Sequence, residues 1–191
     1  LPVTRFGTDI ALVTMENPDF NGIDEVTRAG KDVFAIRGPG EYEIRGIFVK
    51  GVPSRSEYGL PAVASAQAGG ISATNTMYAV QMEDMNIVFL GALSEKKPDL
   101  SIVEDMDSVD ILFVPIGSDG VLEAADAHAL SVELEAKIII PIHHDGIGDK
   151  GAVKAFLKEA GAEDAQVVDK LTIKRKDLEG KTGEVVVLKS V

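Results

Sequence analysis

Asp9-Ile10-Ala11-Leu12-Val13-Thr14 runs directly into Met15-Glu16-Asn17-Pro18-Asp19-Phe20. The first half is short, apolar and partly β-branched, and Asp9 and Asn17-Pro18-Asp19 bound it, so Ile10 to Thr14 is predicted as a strand that empties into a loop. Similar runs recur at Val33 to Ile36, Tyr42 to Lys50, Met77 to Met82, Asn86 to Leu90, Asp110 to Pro115, Lys137 to Ile142 and Glu184 to Leu188. Between Tyr42 and Lys50 the alternation changes face midway, as in one long curved strand. Three helices are expected among the later strands. Asp99 to Met106 follows a proline, Leu122 to Leu134 follows Ser118-Asp119-Gly120, and Lys150 to Ala160 stops at Gly161. Strand after strand, then strand alternating with helix, indicates a mixed sheet or two stacked sheets with helices outside. Residues 59–75, rich in Ala, Gly and Ser, are expected to form a mobile loop within a single domain spanning 1–191.

The chain has 191 residues and no cysteine, which excludes thiolate nucleophiles, Cys-ligated zinc, iron–sulfur clusters and disulfides. A domain of this size closes its core without such staples, and the absence of disulfides fits the cytoplasm. With 31 acidic and 19 basic side chains the formal charge is −12, which repels phosphate backbones and anionic lipid, so neither nucleic acid nor membrane is an expected partner. A small molecule or a protein is expected instead, and a homo-oligomer is compatible with the exposed sheet edge. No apolar run approaches the roughly 20 residues of a membrane span. The first residue is Leu1 rather than Met, as in a fragment.

Several motifs have ordinary explanations. Gly180-Lys181-Thr182 lacks the earlier glycine and the following helix of a phosphate-binding loop, and is expected to be a hairpin turn. Gly38-Pro39-Gly40 lacks the third glycine of a dinucleotide site and is a turn. Ser118 or Asp119 is expected to cap the helix that follows. His128, among alanines and without a partner at i+4, is expected to be a boundary histidine. Pro141-Ile142-His143-His144-Asp145 differs, because it ends the most apolar strand, where open α/β sheets place their sites. Two imidazoles and a carboxylate suit zinc, manganese or iron, yet the same string serves equally well as a histidine-containing loop.

Taken in order, these segments resemble the metallo-β-lactamase superfamily, in particular its small Zn-dependent hydrolase branch, similar to ascorbate-phosphate lactonase-like proteins. The resemblance rests on the strand and loop from Asp9 to Phe20, Gly38 to Glu43 with Gly51-Val52-Pro53, Ile87 to Gly91, Asp110 to Gly117, and Ile138 to Pro141 with His143. It implies an α/β fold, a four-layer αββα sandwich whose N-terminal strands are absent from this chain. It also implies a metal-activated water at the edge between the sheets.

The resemblance lets the ligands be counted. Where the family's loop reads H-x-H-x-D-H, this chain places Met15, Asn17, Asp19 and Phe20. No histidine stands in Ser54 to Glu57, and Ala92 stands where a bridging Asp is implied. Only Asp19 and His143 keep their identities, and thioether or phenyl groups do not replace imidazole for a borderline cation. The expectation is a hydrolase fold with an eroded metal site, a pseudoenzyme serving as a binding or assembly module, with no catalytic residue assigned and no cofactor. The alternative is an active hydrolase of a lactone or phosphoester, with one Zn, Mn or Fe ion on Asp19 and His143, aided by Glu16, His144 or Asp145. A third expectation is a metal-independent ligand binder using the cleft between the loops after Thr14, Gly91 and Ile142.

Overall fold

A computed structural model describes residues 7–27, 32–60, 73–144 and 148–189. Its centre is a seven-stranded mixed sheet ordered β10-β8-β7-β6-β5-β4-β3. The strands are β3 (Gly40–Ile44), β4 (Ile47–Ser56), β5 (Ala73–Met82), β6 (Met85–Phe89), β7 (Ile111–Pro115), β8 (Ile138–Ile142) and β10 (Glu184–Val185). β6, β7 and β8 run parallel, and β3 to β6 form an antiparallel meander. Two small parallel sheets accompany it, β1 (Ile10–Leu12) with β2 (Phe34–Ile36), and β11 (Val187–Leu188) with β9 (Val167–Val168).

The alternation of side chains along β5 to β8 sorts two cores onto opposite faces. One face carries Met77, Val88, Leu112, Val114 and Ile139 against Leu130 of α2 (Ala124–Glu133) and Phe156 of α3 (Ala152–Glu159). The other face of β6 to β8 carries Ile111, Ile138 and Ile140 under Leu178. On that same side of β3 to β5, Val49 and Tyr78 pack against Ile36, Ile10 and Leu12 of the β1–β2 sheet. The Tyr78 hydroxyl clips the small sheet to the large one by donating to the Val13 carbonyl at 2.9 Å. Helices, large sheet, small sheets and the short α1 (Ile23–Val26) beside β1 make up the mixed α/β sandwich. β7 and β8 are buried on both faces, which is why they read as unbroken apolar runs.

Three local expectations are corrected. Tyr42 to Lys50 is not one strand but the hairpin of β3 and β4. Arg45 (φ 54°) and Gly46 (φ 80°) supply the two positive-φ residues that a tight hairpin turn requires. The face change in the sequence was therefore the turn itself. Asp99 to Met106 holds only a 3₁₀ turn, Leu100–Val103, with Asp99 accepting from the Ser101 amide at 2.9 Å. The helix after Gly120 begins at Ala124 and its N-cap is Glu123, with no side-chain cap from Ser118 or Asp119. Of the expected 59–75 loop, Ala73 to Asn75 belong to β5 and residues 61–72 lie outside the described residues.

At the end of the sheet away from the histidines, Asp110 is fully buried and accepts from Lys137 Nζ (2.6 Å), Arg175 Nη1 (2.7 Å) and the Asn86 amide (2.9 Å). Burial alone would raise its pKa, but the Lys137 and Asn86 bonds and the Arg175 charge hold it below the usual carboxylate range.

Candidate functional site

The carboxyl ends of β1, β4, β6, β7 and β8 share one edge of the sandwich, and each sends a loop over it. Gly91, after β6, explains the close approach there. Its φ is 63°, and a Cβ would press on Thr14 at 2.8 Å and overlap the Asn75 amide oxygen. Asn75 is fully buried, donates to Ser54 Oγ (2.8 Å) and the Leu90 carbonyl (2.9 Å), and accepts from the Ala92 amide (2.9 Å). One amide side chain thus fixes the ends of β4, β5 and β6 together. The loop after β8 is equally tight, since a Cβ on either Gly117 or Gly148 would overlap the His143 carbonyl oxygen.

Met15, Ala92 and Val121 are buried in one apolar cluster, with Phe20, Tyr58 and Ala73 packed against it. Three of the positions at which the resemblance implies ligands, those of Met15, Phe20 and Ala92, therefore meet, and they meet as a thioether, a phenyl ring and a methyl group. Phe20 stacks on His143 with ring centroids 4.8 Å apart and 31° between planes, while Tyr58 meets Phe20 edge-on at 5.0 Å and His143 at 6.1 Å. Such offset and edge-on geometries are the favoured ones for aromatic rings.

Asp19 accepts a hydrogen bond from the Tyr58 hydroxyl at 2.9 Å. Burial first, and then this bond and the charges of Asp19 and Asp119, push the Tyr58 phenol up to about 12. His143 adopts φ 59°, and its Nδ1 is buried without a partner among the described residues. Burial, reinforced by His144, lowers its pKa to about 4, so the imidazole is neutral at pH 7. Asn17 turns inward to its own loop and accepts from the Asp19 amide at 3.0 Å. Glu16 is directed elsewhere, bound by Arg37 at 2.8 Å and Asn21 at 2.7 Å. His144 is partly buried beside His143, and Asp145 lies outside the described residues. His128 lies on α2 with its ring 6.4 Å from Phe156.

The structure thus gathers Asp19 and His143 around Tyr58, and separates Glu16 from them. Among the described residues, no group of three or more His, Asp or Glu side chains could hold a metal ion. The donor set at the shared edge does not fit the metal centre that the resemblance implies, because a thioether, a phenyl ring and a methyl group, from Met15, Phe20 and Ala92, stand at its ligand positions. Next to the cluster lies a cleft of about 350 Å³ bounded by Asp19, Glu57, Tyr58 and Asp119. Between the loops after Thr14 and Gly91, where a cleft was expected, Met15, Ala92 and Phe20 pack together. Tyr58 and Asn75 were not singled out from sequence. Tyr58 stands one residue beyond Ser54 to Glu57, where only a histidine was sought.

A family model described as a beta-lactamase superfamily domain matches residues 2–143. Among solved structures, the chain is similar to a Thermotoga maritima protein provisionally described as a Zn-dependent hydrolase of the metallo-β-lactamase superfamily. The TM-score is 0.68 at 22% identity, over 97% of this chain and 84% of that one. It is also similar to a provisionally described metal-dependent hydrolase from Parabacteroides distasonis (TM-score 0.57, 18% identity, 83% and 76% covered). A third similar structure is a metallo hydrolase from the archaeon Ignicoccus hospitalis (TM-score 0.59, 12% identity, 87% and 76% covered). At these identities the likeness concerns the fold. No curated protein matches the sequence.

Proposed function

Because the chain belongs to the metallo-β-lactamase superfamily, we propose that it keeps the hydrolase fold without the hydrolase metal centre and serves as a cytoplasmic binding or assembly module. The supporting observation is the cluster of Met15, Ala92, Phe20 and Tyr58, which fills the edge where the family's ligands converge. A hydroxide nucleophile at neutral pH needs a divalent cation and several imidazole or carboxylate donors. Of the two residues at positions where the resemblance implies ligands and the residue type is kept, Asp19 is engaged by Tyr58 and His143 is stacked on Phe20. The partner is a small molecule or protein. A net charge of −12 disfavours nucleic acid, and among the described residues no helix is long and apolar enough to cross a membrane.

One observation favours a second reading, an active hydrolase with a single Zn, Mn or Fe ion. His143 Nδ1 is buried without a partner among the described residues, and its imidazole is in the neutral form that a metal requires. Asp19 would then bind the metal through Oδ1 while Oδ2 keeps its bond to Tyr58. Hydrolysis of a panel of lactones and phosphoesters, with Zn²⁺, Mn²⁺ or Fe²⁺ supplied, separates the two. No turnover above that of His143→Ala is expected, and metal-dependent turnover lost in that variant would establish the hydrolase.

A further inference from the structure

The mismatch between these residues and a metal centre has a positive counterpart in the way the loops are joined. Phe20 comes from the loop after β1, Tyr58 from the end of β4, Ala92 from the loop after β6, Val121 from the loop after β7 and His143 from the end of β8. Five segments distant in sequence therefore meet at one point. Phe20 alone touches two of them, through rings 5.0 Å and 4.8 Å away. The Tyr58 hydroxyl returns to the β1 loop through Asp19 at 2.9 Å. The Glu57 amide donates to the Gly120 carbonyl at 3.2 Å, which ties the β4 end to the β7 loop.

We infer that the Phe20–Tyr58–His143 aromatic cluster is a clasp that joins these loops by packing, in the place where a metal would otherwise cross-link them. The inference rests on the metal-free reading of the centre and adds a mechanical role to it. Loops fixed by a metal loosen when it is removed and tighten when it is supplied, because binding to the folded state alone is linked to stability. Loops fixed by an aromatic clasp respond instead to the loss of one ring, and they respond together, because Phe20 makes two of the three ring contacts, the shorter ones. His143 presents its ring to Phe20 from a backbone at φ 59°.

The test combines thermal unfolding with hydrogen exchange read by mass spectrometry, on the wild-type chain, Phe20→Ala, the gentler Phe20→Leu and Tyr58→Phe. Wild-type Tm is expected to be unchanged by Zn²⁺, Mn²⁺ or EDTA. In Phe20→Ala, amides of residues 57–60 and 143–144 are expected to exchange roughly tenfold faster or more, along with those of 15–22, while β7 and β8 keep their protection. Phe20→Leu is expected to show the same regions with a smaller change, which keeps the test decisive if Phe20→Ala does not fold. Tyr58→Phe keeps the rings and frees Asp19, so the faster exchange should be confined to 17–21. Faster exchange in the Phe20 variants limited to 15–22, with no metal effect, would overturn the clasp and leave the metal-free reading standing. A Tm raised by Zn²⁺ or Mn²⁺ and lowered by EDTA would overturn both.

Discussion

The Tyr58 hydroxyl donates to the Asp19 carboxylate across 2.9 Å, joining residues 39 positions apart in sequence. Asp19 stands in the loop after β1, at a position where the resemblance implies a metal ligand, and its bond is to a phenol. The same phenol ring is packed edge-on to Phe20 and faces His143. One side chain thus engages the exposed Asp19 carboxylate through its hydroxyl and packs its ring against the apolar cluster.

That relationship is measurable by alkaline titration. Tyr58 and Tyr78 are both pushed up to about 12, chiefly by burial. A phenol whose folded pKa lies above its unfolded value of about 10 stabilises the fold fully below pH 10 and loses that contribution as pH rises toward 12. The chain has three tyrosines and no tryptophan, so phenolate absorbance is a clean reporter. Tyr58 and Tyr78 should resist ionisation until about pH 12 or until unfolding. Asp19→Asn should lower the value for Tyr58 and leave Tyr78 unchanged, and a Tyr58 that ionises near pH 10 in the folded wild type would be inconsistent with this geometry.

His143 gives a signature on the acid side. Its folded pKa, about 4, lies below its unfolded value of 6.5, so the unfolded chain binds the extra proton first. The contribution is complete above pH 6.5 and is lost as pH falls through about 4, amounting to about 3 kcal/mol in all. Urea unfolding of wild type and His143→Phe at a series of pH values isolates it. Their difference in stability should move by that order across the window, and two curves that stay parallel would contradict the buried, neutral imidazole.

The closeness of the β7 and β8 loops predicts strong effects from very small substitutions. Gly117→Ala and Gly148→Ala each place a methyl group against the His143 carbonyl oxygen. Each should destabilise by about 2 kcal/mol or more, as overpacking against backbone does. Gly38→Ala, where a Cβ meets nothing within 4 Å, is the control and should be near neutral in the same denaturation series.

Much of the architecture could be read from composition along the chain, because the buried strands are nearly all apolar. Ile10 to Thr14, Asp110 to Pro115 and Lys137 to Ile142 contain the observed β1, β7 and β8 with ends shifted by one or two residues. The Arg45-Gly46 turn escaped notice because Arg is an unusual occupant of a positive-φ position, and its only sequence mark was the change of face on either side. Asp19 and His143 stood out in the sequence only as the residue types that the resemblance implies at those positions. What surrounds them was not legible, since the meaning of Tyr58 depends on Phe20, 38 residues earlier, and on His143, 85 residues later. Asn75 was hidden for the same reason. It sits next to a run of small residues, and only the fold shows that its amide joins the ends of three strands.

Electrostatics at the far end of the sheet separates structural from peripheral charge. Asp110→Ala leaves Lys137 and Arg175 without their buried partner, and should cost about 3 kcal/mol or more in urea unfolding. Glu16→Gln breaks an exposed pair with Arg37 and should change stability by less than about 1 kcal/mol. Equal effects from the two would mean that burial is not what gives the Asp110 network its weight.

The central claim is that packing, not metal, organises the edge shared by Asp19, Phe20, Tyr58 and His143. Elemental mass spectrometry of the full chain, purified without chelator or metal-affinity steps alongside His143→Ala, tests it most directly. The expected result is far less than one transition-metal ion per chain in both proteins. Close to one zinc, manganese or iron per chain in the wild type, lost in His143→Ala, would contradict the claim and identify the centre as a working metal site.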